Sequence, residues 1–109
     1  MNWTELEEYS QINNALQASK PFLVFKHSTR CSISSMVKSR FERNYDLDDV
    51  QAFHLDLIQY RSISNQLAAD FNVVHQSPQL MLIQDGQCKY HASHNAIDLS
   101  DLKVNIEVL

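Results

Sequence analysis

Two cysteines, one glycine, two prolines and one tryptophan occur in 109 residues. Cys31 and Cys88 are too few for the disulfide framework that small secreted domains usually carry. They fit a reducing compartment, and any thiol chemistry must run largely through one of them. No apolar run approaches the roughly 20 residues needed to cross a bilayer. Met1-Asn2-Trp3-Thr4-Glu5 has neither the basic region nor the apolar core of a signal peptide, so the expected location is cytoplasmic, with no membrane partner. The formal charge of −4 argues against nucleic acid as a partner. There is no repeat, linker or low-complexity stretch. With 44% apolar and 20% charged residues, residues 1–109 are expected to form a single globular domain.

Against this background one stretch carries chemistry, from Phe22 to Ser35. The apolar run Phe22-Leu23-Val24-Phe25 ends in Lys26 and His27. A polar turn, Ser28-Thr29-Arg30, leads to Cys31, where a helical pattern begins. A helix start presents unpaired N–H groups and a partial positive charge. A thiol there is favoured as thiolate, the nucleophilic form. Arg30 adjoins Cys31 and adds charge of the same sense. Residues 26–43 hold five lysines and arginines against one acid, Glu42, a positive segment in an acidic chain. Lys38, Arg40 and Arg43 read equally well as a solvated helix face.

Thr4-Glu5-Leu6-Glu7 matches a capping box, and Leu6, Tyr9, Ile12 and Leu16 continue at helical spacing. This predicts an N-terminal helix, broken at Lys20-Pro21. Phe22–Phe25 reads as a strand buried on both faces. Val37, Phe41 and Tyr45 mark one face of a second helix, and Val50–Leu57 a second strand. Ile63, Leu67 and Phe71 give a third helix, and Gln76-Ser77-Pro78 a turn. Leu80–Ile83 is a third strand, Asp85-Gly86 a hairpin signal, and Gln87–His91 the return strand. On that strand Cys88 and Tyr90 share a face opposite Lys89 and His91. Leu99, Leu102, Ile106 and Leu109 line a final helix opened by Asp98 or Ser100. The order is helix, then βαβαββα, an α/β class with a four-stranded mixed sheet flanked by helices.

This order, with a cysteine after the first strand and Ser-Pro before the third, resembles the thioredoxin superfamily. Lys26-His27-Ser28-Thr29-Arg30-Cys31, His75-Gln76-Ser77-Pro78-Gln79 and His91-Ala92-Ser93-His94 resemble more closely the monothiol bacilliredoxins, thioredoxin-like general stress proteins of the bacillithiol system. The resemblance implies a thioredoxin-like sheet ordered second, first, third, fourth strand. It also implies removal of bacillithiol from mixed disulfides on oxidised or S-thiolated cytosolic proteins. The cysteine matching Cys31 would be the nucleophile, and Pro78 would be cis, facing it. Ser77 would then offer backbone hydrogen bonds to an extended client, a form of strand addition. No tightly bound cofactor is implied, and bacillithiol would be a co-substrate. Composition and spacing alone would serve glutathione or coenzyme A equally. The family pattern has proline where this chain has Ser32 and an aromatic where it has Asn95, both where substrate would be read.

Ser34 stands where a Cys-x-x-Cys pair would have its second thiol. A serine cannot resolve a mixed disulfide, so the spacing predicts a monothiol mechanism. Its hydroxyl would satisfy the helix start or donate to Cys31. Catalysis is thus assigned to Cys31, with Ser28, Thr29, Arg30, Ser32 and Ser34 in support. Ser77, Pro78, Ser93 and His94 are assigned to binding, the His91–Asn95 segment as a pocket for the carboxylates of a small thiol or as a surface loop. His27 is expected to be packed or hydrogen-bonded. With the implied sheet, Cys88 lies on the order of 15 Å from Cys31, too far for a disulfide, and is structural. The histidines lack metal-ligand spacing. The alternatives to an enzyme are a non-enzymatic thioredoxin-like adaptor and a thiol-based stress sensor.

Overall fold

The computed structural model describes residues 1–107. Strands β1 (Trp3–Glu5), β2 (Phe22–His27) and β3 (Gln51–Asp56) alternate with helices α1 (Ser10–Gln17), α2 (Ser32–Arg43) and α3 (Arg61–Asp70), and β4 (Gln79–Gln84) and β5 (Gln87–Ser93) then follow in succession before α4 (Leu99–Glu107). The strands form one sheet in the order β1-β3-β2-β4-β5. β1, β3 and β2 run parallel, and β4 and β5 continue as an antiparallel hairpin. All six residues of β2 are buried, as the apolar run requires of a strand covered on both faces.

Alternation along β2 sorts two cores. Phe22 and Val24 join Ile12, Phe53, Leu55, Leu67, Met81 and Ile83 beneath α1 and α3. Leu23 and Phe25 join Val37, Phe41, Leu80, Leu82 and Leu102 beneath α2 and α4. The hairpin turns at Asp85 and Gly86, whose φ values of 56° and 74° match the left-handed pair a two-residue hairpin needs. Asp98 opens α4, its carboxylate accepting the Asp101 N–H at 3.1 Å. Leu109 lies outside the described residues.

Three expectations are corrected. No N-terminal helix precedes the first strand: Trp3–Glu5 is itself a strand, paired with Ala52–His54, and the sheet has five strands. The helix starts only at Ser10. Tertiary contacts override the capping box here, since Trp3 packs on Phe25 and Phe41 and Leu6 is 1% exposed. Gln11 instead reaches back to the segment before the helix, its Oε1 accepting the Glu7 and Glu8 N–H groups, and α1 starts with no side-chain cap. The third correction concerns β5. Leu82 pairs with Tyr90 but Ile83 with Cys88, so Lys89 is an extra residue in a bulge. The bulge restarts the alternation, so Cys88 packs in the core under α1 and α3 and Tyr90 in the other.

Lys26 is fully buried, its Nζ 3.4 Å from the Ser64 carbonyl and from His75 Nδ1. Burial, aided by the Arg61 guanidinium, pushes its amine down to about 8. The unfolded chain keeps that proton up to about 10.4. Between these values the unfolded state binds more protons, so this group's contribution to stability rises with pH. Lys26→Met should therefore be more stable than wild type at pH 7, by on the order of 1 kcal/mol. Urea unfolding at both pH values should show that advantage shrinking by pH 10. A gap independent of pH would contradict the assignment.

Candidate active site

Strand register brings the separated motifs to one end of the sheet. Lys26, next to the end of β2, pairs with Gln79 at the start of β4, and Gln79 pairs with Ser93 at the end of β5. The Ser28–Cys31 turn, Ser77-Pro78 and Ser93-His94 therefore share that end. The Ser77–Pro78 peptide is cis, and the His94 N–H donates to the Pro78 carbonyl at 3.0 Å. His94 begins a 3-10 turn, His94–Ala96. Arg40 of α2 holds that segment by donating to the Asn95 and Ile97 carbonyls at 3.4 and 3.0 Å. Ser77 Oγ is buried with no hydrogen-bond partner among the described residues.

Cys31 is the N-cap of α2, with extended backbone (φ −104°, ψ 118°) and no side-chain cap on the helix. Its N–H donates to the Ser28 carbonyl and its carbonyl accepts the Ser35 N–H, both at 3.1 Å. The amides of Ser32, Ile33 and Ser34 thus have no intrahelical acceptor, at the helix end where Cys31 sits. The thiol is half-buried, while Thr29, Arg30 and Ser32 are exposed. Ile33 and Met36, 54% and 67% exposed, add an apolar surface beside it.

Ser34 is fully buried, and its hydroxyl does not cap Cys31. Its Oγ lies 2.7 Å from His27 Nδ1 and accepts the Ser28 N–H at 3.1 Å. Behind His27 lies a second imidazole, His54, with ring centroids 5.4 Å apart. His54 Nδ1 is 2.8 Å from the Glu5 carboxylate. Burial, then His54 and Lys38, push the His27 imidazole down against the opposing pull of Asp56 and Glu42. His27 is packed and hydrogen-bonded, as its position at the end of a buried strand suggests.

Ser93 is half-buried, while His91, His94 and Asn95 are exposed. Among the described residues no group of three or more His, Cys, Asp or Glu side chains could hold a metal ion. No helix among them is long and apolar enough to cross a membrane. The depression of about 520 Å³ lined by Glu7, Glu8, Gln11 and Tyr60 contains no thiol.

Cys88 pairs with Ile83 beside the hairpin turn, at the opposite end of β5 from Ser93. Its thiol donates to the Tyr90 carbonyl at 3.3 Å, and burial pushes it up from the usual thiol range. Five residues of strand at about 3.3 Å each separate it from the Ser93 end, against the 7 Å limit on Cα atoms in a disulfide. Oxidation of the pure protein should therefore give no Cys31–Cys88 bond within one chain. Non-reducing peptide mapping that found one would overturn this placement.

The inward-facing Lys26 is missed by the sequence reading. Lys26 lies in register with Phe22 and Val24, a signal that its side chain enters the α3 face. The link from Ser34 to His27 becomes visible only once the intervening turn is known.

Residues 4–102 match the family model described as monothiol bacilliredoxin BrxC. Among solved structures, one described as an oxidoreductase with a thioredoxin fold is 28% identical, with a TM-score of 0.82 over 93% of this chain and 90% of that one. A thioredoxin of Malassezia sympodialis is 18% identical, with a TM-score of 0.75 over 98% and 90%. A thioredoxin of Trypanosoma brucei brucei is 13% identical, with a TM-score of 0.74 over 98% and 89%. The fold is thioredoxin-like, with β1 added at the edge beside β3.

Proposed function

As the chain belongs to the monothiol bacilliredoxin family, we propose that it is a thiol–disulfide oxidoreductase that removes bacillithiol from cytosolic protein mixed disulfides through Cys31. The observation that carries this is Cys31 on the uncapped N-terminus of α2, at the sheet end that holds Ser77-Pro78, with Ser34 in place of a second thiol. The Cys31 thiolate attacks the bacillithiol sulfur of the client disulfide. That S–S bond breaks, the client leaves as a thiolate and takes up a proton, and Cys31 is left disulfide-bonded to bacillithiol. A second bacillithiol thiolate attacks the bacillithiol sulfur, frees Cys31 and leaves as bacillithiol disulfide. The client sulfur returns from disulfide to thiol, and the sulfur of the second bacillithiol is oxidised to disulfide in its place.

An extended client would pair with the Ser77 backbone before the cis proline. Ser93 and His94 would meet the carboxylates of the small thiol. Thr29, Arg30 and Ser32 form the exposed lip over which both approach, so Ser32 and Asn95 bear on substrate preference. The test is mixing the protein with an S-bacillithiolated client and following both by intact mass. Transfer of the adduct to Cys31, followed by turnover on adding bacillithiol, supports the reading. An unmodified Cys31 with an unchanged client supports a non-enzymatic adaptor, and modification without turnover supports a sensor.

Arg30 adjoins Cys31, whereas Lys38 is paired with Glu42 at 2.8 Å. Arg30→Glu should slow Cys31 alkylation at neutral pH by about threefold, since an adjacent negative charge opposes a thiolate. Lys38→Glu should do less, and raised salt should shrink both effects. Equal rates in the two variants would assign reactivity to the helix start alone.

A further inference from the structure

We propose that His27 is a positioning residue for Cys31, acting through the Ser34 hydroxyl and the Ser28 backbone. The inference deepens the reading of Cys31 as the reactive thiol and rests on it. Four contacts form an unbroken chain. His27 Nδ1 lies 2.7 Å from Ser34 Oγ, and Ser34 Oγ accepts the Ser28 N–H at 3.1 Å. The Ser28 carbonyl accepts the Cys31 N–H, and the Cys31 carbonyl accepts the first helical N–H, that of Ser35. The buried imidazole is thereby linked to the backbone on both sides of the thiol.

Donor and acceptor counts give the chain a direction. Burial, His54 of β3 and Lys38 of α2 outweigh Asp56 of β3 and Glu42 of α2 and favour the neutral His27 imidazole. Ser34 Oγ spends a lone pair on the Ser28 N–H, so its proton is free to go to an unprotonated His27 Nδ1. The hydroxyl is then committed on both counts and is withdrawn from the Cys31 sulfur. What it does instead is fasten the start of the turn to the first turn of α2. This closes a loop around Thr29, Arg30 and Cys31 and holds Cys31 in the extended N-cap conformation. In that conformation Cys31 occupies the N-cap, next to the unpaired first-turn amides.

A turn freed from this clamp spends less time in the reactive geometry. The test is the rate of Cys31 alkylation by iodoacetamide at pH 7 in a background where Cys88 is replaced by alanine. Ser34→Ala and His27→Leu should each slow it about fivefold to tenfold, as expected for one buried hydrogen bond. The double variant should be no slower than Ser34→Ala, because both changes cut the same chain. His27→Asn, which keeps a polar atom near the Nδ1 position, should stay within about twofold of wild type. Amide exchange at Ser28 should accelerate in Ser34→Ala and stay protected in His27→Asn, which decides the matter even if His27→Leu fails to fold. A double variant whose loss is the product of the two, a His27→Asn as slow as His27→Leu, or a Ser34→Ala at the wild-type rate would each overturn the proposal. Alkylation needs no physiological small thiol. A protein that fails to take bacillithiol from a client but shows these rates would overturn the proposed function and leave the role of His27 standing.

Discussion

Cys31→Ser abolishes removal of bacillithiol from a modified client: that is the largest effect expected of any single substitution here. A serine hydroxyl is almost wholly protonated at neutral pH, and an alkoxide cannot sustain thiol–disulfide exchange. The fold should not suffer, because Cys31 is half-buried and the hydrogen bonds that hold it are backbone ones. Serine is also a strong N-cap, its oxygen accepting from first-turn amides that α2 leaves uncapped. The variant should match or slightly exceed wild type in thermal stability while its turnover falls to the uncatalysed rate. Parallel melting curves and mass-resolved client assays separate the two. Turnover surviving in a well-folded Cys31→Ser protein would move the chemistry to Cys88 or to no cysteine at all.

Ser34→Cys should have the opposite character, a gain of function. Position 34 is fully buried and 2.7 Å from His27 Nδ1, within the reach at which a base activates a nucleophile. A thiol there would give its proton to His27 and attack Cys31 in the mixed disulfide. A disulfide forms between Cys31 and the introduced thiol, and bacillithiol leaves as thiolate. The adduct expected to accumulate in wild type should be replaced by a species lighter than the reduced protein by two hydrogens. Releasing bacillithiol from Cys31 would no longer need added thiol. The sulfur holds the Ser28 N–H less well than the hydroxyl does, so some stability should be lost. Accumulation of the wild-type adduct would show that position 34 does not reach Cys31.

What the sequence reveals about this site follows from the range of the interactions that build it. Cys31 at a helix start is legible because strand, turn and helix are contiguous there. The apolar run of β2, the Val37 and Phe41 face of α2 and the Asp85-Gly86 turn are local in the same way. Thr4 to Glu7 misleads for the same reason. The capping box is a sound local signal, but Trp3–Glu5 meets Ala52–His54 nearly fifty residues later, and a three-residue strand has too few positions to show alternation. The bulge at Lys89 is invisible because an unpaired residue does not alter residue types, so Cys88 and Tyr90 look like neighbours on one face. Lys26 looks like the polar end of a strand, and His27 like a packed or hydrogen-bonded residue beside it. Both are buried because α3 covers one face of β2 and α2 the other.

Cys31 is expected to accept a small thiol that nothing within the chain can remove. Intact mass followed over time, after exposure to bacillithiol disulfide and with peptide mapping of the product, tests this directly. The expected result is one adduct per chain, on Cys31, that persists until free bacillithiol is added and then disappears. An adduct on Cys88, or loss of the Cys31 adduct to an internal disulfide without added thiol, would contradict it.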